Sequence, residues 1–220
     1  MVPARGFVHW LFEAWAWLQS AHGQPRRSIV APCDEDFPVD LALQGADLGD
    51  DYFLFVCEHA GLSEWPLIAV PQNEDADDGF PVPYDLELLK SPAQLVTHFA
   101  RGVGYYAVQA SGVVPTVDED DYLVDASTVF LGFGIFLANA SGRPAEPWLR
   151  GRCAMAEHEL AYALALFGIL GEIPDRMIEP HLNANPRAFY RKAVKHLLRH
   201  HAHGLHRLQG RMPSGVGPYR

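Results

Sequence analysis

Cysteine is scarce in this chain, and its spacing is uninformative. Cys33, Cys57 and Cys153 are odd in number, far apart and form no C-x-x-C, which argues against a zinc ribbon or a disulfide framework and suits a reducing, cytoplasmic compartment. Long apolar runs are missing as well. The longest, Val129 to Ala138, falls far short of the roughly 20 residues that span a bilayer, so no membrane span is expected. The opening stretch MVPARGFVHWLFEAWAWLQSAHGQ lacks the unbroken apolar segment and small-residue cleavage site of a signal peptide, because Glu13 interrupts it. Phe7, Leu11, Ala14, Trp15 and Leu18 instead recur at helical spacing, predicting an amphipathic helix that packs onto a core. Internal repeats and low-complexity segments are also absent.

Positive charge is missing from a long part of the chain. Between Asp34 and Glu87 there are 15 acidic residues and no Lys or Arg, and Asp118, Glu119, Asp120, Asp121 and Asp125 extend the acidic part. From Arg187 onward the balance reverses: eight Lys or Arg, no acid, and five histidines at 196, 200, 201, 203 and 206. The formal net charge is -10. Such a molecule repels phosphate as a whole, which disfavours nucleic acid as a partner. A surface of one sign accelerates encounter with an oppositely charged protein, so the expected partner is a protein with a basic surface.

What is present is a chain with 49% apolar residues, enough to bury a substantial core in one compact domain over residues 1–208, with a loose tail at 209–220. Within it, an N-terminal helix and acidic α/β part covers about 1–90 and a helical part about 91–208. Asp50 and Asp51 read as N-caps for YFLFVCEHAGL, and PLIAVP reads as a strand. QNEDADDGFPVP reads as an acidic turn, and Ser91 with Pro92 opens a further helix. A long helix is expected from Asp120 to about Asn139, another from about Cys153 to Leu170, and a last one from Pro186 to about Leu208, with ASGRPAEP as a loop. Six helices and two or three short strands give a class that is mainly α with a small β component.

The residues His158-Glu159-Leu160-Ala161-Tyr162 come one letter short of H-E-x-x-H, in which two histidines one turn apart grip zinc and the glutamate activates water. Tyr162 stands where the second histidine belongs, and a phenol is a poor zinc ligand at neutral pH. Leu160, Ala163, Leu164 and Phe167 form the apolar stripe, leaving His158 and Glu159 toward its edge, where Glu157 and Glu159 support the helix dipole. This motif reads as a helix start.

A resemblance lies upstream. VPYDLELLKSPAQLVTHFARGVGYYAV, followed by DYLVDASTVFLGFGIFLANA, resembles an uncharacterised family of bacterial proteins with a zincin-like, metallopeptidase-like helical core. EHELAYALALFGIL, HLNANPRAFYRKAVKHLL, IVAPCDEDFP and VCEHAGLSEWPLIAVP share in it, so the similarity covers most of residues 7 to 200. VFLGFGIFLANA is its most specific piece. The resemblance places the first ligand histidine on Arg101, the glutamate general base on Gly102 and the second histidine on Tyr105. It places the carboxylate of the second helix on Asp121, with Asp125 four residues later. A guanidinium does not ligate zinc and glycine accepts no proton, so the resemblance implies a scaffold whose reaction centre is degenerate.

Arg101 and Tyr105, one helical turn apart, are expected to face Asp121 and Asp125, where an Arg–carboxylate pair replaces metal as the tie between two helices. Gly102 and Gly104 are costly inside a helix unless another element packs closely there. His196 and His200 are spaced for one helix face, expected to be a basic one. Three functional readings remain open. The first is a non-catalytic protein-binding module, such as a bacterial immunity or antitoxin-type protein, that uses its acidic surface and no cofactor. The second is a metal-dependent hydrolase with a rearranged zinc site built from His98, Asp121 and His158. The third is a scaffold or regulatory subunit whose basic C-terminal helix is the docking element.

Overall fold

The computed structural model describes residues 1–25, 28–32, 42–72, 74, 79–113, 121–141 and 153–210. Cys33, most of the acidic turn at 73–78, Asp118 to Asp120, the ASGRPAEP segment from Gly142 on and the tail from 211 lie outside those residues. The elements run α1 (Arg5–His22), α2 (Gly45–Ala60), β1 (Leu67–Pro71), β2 (Phe80–Tyr84) and α3 (Pro92–Ala110). They continue with α4 (Asp121–Thr128), a π-helical turn (Val129–Phe133), α5 (Gly134–Ala140), α6 (Glu157–Leu170), α7 (Ala184–His200) and α8 (Ala202–Leu208). The protein is mainly α with a small β component.

β1 and β2 form a two-stranded parallel sheet, with Leu67 opposite Phe80 and Pro71 opposite Tyr84. A sheet this narrow has only edges, which is why it tolerates Pro71, Pro81 and Pro83. A 3₁₀ turn at Leu86–Lys90, capped by Asp85 accepting from the Glu87 amide at 2.9 Å, leads from β2 into α3.

Asp121–Ala140 is the one stretch among the described residues that is long and apolar enough to cross a membrane, and most of it is buried inside the protein. Its burial follows from its position between two apolar cores. Val129, Phe130, Ile135 and Leu137 pack with α1, α6, α7 and α8. Leu131, Phe133 and Phe136 pack with α2, the sheet and α3. A helix enclosed on all sides is apolar all round. The π-helical turn redirects it: Gly132 has φ 100°, its carbonyl accepts from the Val30 amide at 3.2 Å, and a Cβ there would lie 2.9 Å from His59 Nε2.

Several boundaries differ from the sequence reading. α2 begins at Gly45, so Asp50 and Asp51 sit within the helix rather than at its cap. The last helix is two helices, parted at His201. α6 starts at Glu157, and its Leu160 to Gly168 are all buried, Tyr162 included, so its apolar surface is far wider than one stripe. α1 packs with the C-terminal helices and α3 with the acidic part, so the two cores do not divide the chain at residue 90.

Candidate functional site

α3 and α4 approach closely enough that α3 has no room for a side chain at Gly104, where it meets Thr128 of α4. A Cβ on Gly104 would lie 2.5 Å from Thr128 Oγ1 and 3.3 Å from both the Thr128 nitrogen and the Val124 oxygen. Gly102 faces the sheet instead, where a Cβ would lie 2.5 Å from Val82 Cγ1. Both glycines therefore give up helix propensity for close approach.

Beside this contact lies the ion pair. Arg101 Nε donates to Asp125 Oδ1 at 2.9 Å, and Arg101 Nη2 stands 3.8 Å from Asp121 Oδ1. The other oxygen, Asp125 Oδ2, accepts from the Met155 amide at 3.0 Å, just before α6. One carboxylate thus ties α3 and α4 to the segment entering α6. Asp125 is fully buried and Arg101 is 8% exposed. Burial pushes the Asp125 carboxyl up, while Arg101 and the backbone amides of Met155 and Ala154 oppose that rise. The nearby Cys153 thiol is pushed up to about 12 by burial, with Asp125 adding to the shift. It stays a thiol at neutral pH and is no nucleophile.

The other residues singled out in the sequence lie elsewhere. Tyr105 is half-buried and packs its ring edge-on against Tyr106, centroids 5.3 Å apart, rather than completing the cluster. His98 is half-buried and tied to β2, its Nε2 2.7 Å from the Pro83 oxygen, and burial holds its imidazole below the ordinary value. His158 sets its ring edge-on against Phe189 of α7 at 6.1 Å. Glu159 accepts from the Ala156 amide at 2.9 Å, half of a capping box closing the start of α6. Among the described residues, no three His, Cys, Asp or Glu side chains are grouped to hold a metal. Zinc does not fit the Arg101 position on chemical grounds either: a fixed guanidinium already occupies Asp125 and would repel a divalent cation beside it.

A polar contact that sequence spacing did not reveal joins α6 to α7. Tyr162 OH lies 2.9 Å from His196 Nδ1, and the His196 ring stands 4.9 Å from that of His200 and 5.2 Å from that of His201. The near-miss tyrosine of the H-E-x-x-H pattern is thus a helix-packing residue. Thirty-four positions separate it from its partner, and helical periodicity carries no signal over that range.

The acids of α2 form an exposed surface of one sign. Asp47, Asp50 and Glu58 are exposed, while Tyr52, Phe53, Val56 and Cys57 of the same helix are buried. Desolvation pushes the Asp50 carboxyl up, and Asp47 and Glu74 push it further. Comparison with protein-family models, curated proteins and solved structures gives no match to this chain.

Proposed function

We propose that this protein is a non-catalytic binding module, an acidic scaffold of the immunity or antitoxin type that engages a basic protein through the exposed face of α2. Its core follows the plan of a zincin-like helical scaffold in which an internal Arg–Asp pair stands where hydrolysis would need metal. The observation that carries this reading is the exposure of Asp47, Asp50 and Glu58 along α2 with Glu74 nearby; burial raises the Asp50 carboxyl, and repulsion from Asp47 and Glu74 adds to that rise. An approaching lysine or arginine relieves that repulsion, so binding gains from charges the free protein holds at a cost. Buried Arg101, paired on one carboxylate and bordered by a second, supports the same reading, because it ties helices together and presents no acid, base or nucleophile to a substrate.

The test uses an octalysine peptide titrated by calorimetry into the full chain. Binding should weaken at least fivefold in Asp50→Asn/Glu58→Gln and again as salt rises. An affinity indifferent to both changes would remove the acidic face from the mechanism.

A further inference from the structure

The basic end of the chain presents a surface that matches α2 in plan. Lys192, Lys195, His196, Leu198, Arg199 and His200 line an open groove of about 800 Å³ along α7, bounded on one side by Met1 and Val2. Leu198 is 57% exposed, and Lys192, Lys195 and Arg199 are exposed beside it. At 3.6 residues per turn, these four side chains fall within an arc of about 120°. Among the described residues no carboxylate pairs with the three cations, whereas Arg191, farther back on the same helix, is held by Glu179.

α2 carries the complement. Leu54 is 52% exposed, and Asp47, Asp50 and Glu58 stand seven and four residues before it and four after it. That spacing puts them all on its face of the helix, within an arc of about 80°. Each helix thus shows one exposed leucine bordered by charges of a single sign, and the two signs are opposite.

We infer that the α7 groove receives the α2 face of a second copy of this chain, so that the protein associates head to tail. The acidic half of this contact rests on the function proposed above; the basic half does not. Leu54 and Leu198 bury each other at the centre, and the charges pair around them, an arrangement with an apolar middle and a polar rim. Two molecules of charge -10 repel at a distance, but at 0.1 M salt the Debye length is about 10 Å, so the facing charges dominate once the helices touch. The two surfaces are different patches of one molecule. The contact is therefore heterologous and repeats unless a rotation closes it into a ring.

Sedimentation velocity and multi-angle light scattering on the full chain read this directly. At about 0.1 M salt the mean mass should rise with concentration, and raising salt to about 1 M should weaken association at least tenfold, as the Debye length shrinks to about 3 Å. Asp50→Lys/Glu58→Lys and Lys192→Glu/Lys195→Glu should each be monomeric alone. Mixed together they should associate again, because the intact α7 face of the first variant meets the intact α2 face of the second, and their two reversed faces are also opposite in sign. A mixture that stays monomeric, or association that survives either reversal, overturns the inference. Circular dichroism verifies folding, and Leu198→Gln, a neutral change at an exposed site, provides an independent loss of association. Octalysine binding by the unmodified chain, with no self-association of that chain at any concentration, would refute the second copy as occupant and leave the acidic-face function standing.

Discussion

Removing the Arg101 guanidinium is the perturbation whose size the geometry fixes best. In Arg101→Ala the Asp125 carboxylate, with no exposure, keeps its backbone amide contacts and loses its charged neighbour at 2.9 Å. Breaking a buried pair from one side costs about 3–5 kcal/mol. At roughly 2–4 °C per kcal/mol for a chain of this size, the melting temperature should fall by about 6–20 °C. Asp121 gives the control. It stands 3.8 Å from Nη2 with a side chain 43% exposed, so Asp121→Ala should cost at most about 1 kcal/mol. The loss should also depend on pH. The Asp125 carboxyl is raised above its ordinary 3.8 in the folded protein. Its contribution is therefore most favourable below 3.8 and is lost as pH rises through the folded value. Without Arg101 that folded value climbs further, so the gap between variant and wild type should widen from about pH 4 to about pH 7. Arg101→Met/Asp125→Asn should recover more than half the loss, because the asparagine is neutral and its oxygen still accepts from Met155. Thermal melts across that pH range decide the matter. An Arg101→Ala loss no larger than that of Asp121→Ala would refute the reasoning.

Glycine substitutions should differ in sign between helices. Gly104→Ala should cost about 1–3 kcal/mol through overpacking against Thr128, whereas Gly6→Ala, with nothing within 4 Å of its Cβ, should gain at most about 1 kcal/mol; urea titrations compare them. Burial holds the imidazoles of His22, His98, His196 and His201 below their ordinary 6.5. The unfolded chain therefore takes up protons first, and stability should decline as pH falls below about 6.5, less steeply in His196→Asn. Equal slopes in melts from about pH 7.5 to about pH 5 would show that the His196 contacts with Tyr162 and its neighbouring histidines do not govern its titration. Zinc measured after incubation and dialysis should stay well below one equivalent; a stoichiometric ion lost in His98→Ala would restore the hydrolase reading.

How far the sequence disclosed this structure depends on the range over which each signal acts. α1 was legible as a helix because its apolar positions repeat every turn, and in the structure it ends at Gly23 with φ 81°. The class and most helices follow from the same local signals. α6 misled for the opposite reason: a helix buried around most of its circumference has no polar side, so a four-residue stripe and its edge were read into a continuous apolar surface. The Val129–Phe133 turn was hidden because Gly132 is required by a close approach to His59 and Ser28, residues some 70 to 100 positions away in sequence. The break at His201 likewise depends on tertiary packing, its ring stacking on Phe12 of α1 at 5.5 Å.

The Arg101 site divides along the same line. The family resemblance, not helical spacing, aimed Arg101 at α4, and spacing added only that its two candidate carboxylates lie one turn apart. The choice between them was not visible. Asp125 prevails because its second oxygen meets the Met155 amide, a contact set by where the chain enters α6, and Asp121 is left near solvent. Tyr105 shares Arg101's register, yet its ring rests on Tyr106 rather than turning to the carboxylates. Resemblance and spacing along one helix therefore nominate candidates for a buried charge, and the third element that reaches the site selects among them. The selection has a thermodynamic consequence: a carboxylate held by two helices and a third segment is neutralised only when all three are docked. The pair thus penalises any arrangement in which α3, α4 and the start of α6 are not assembled together.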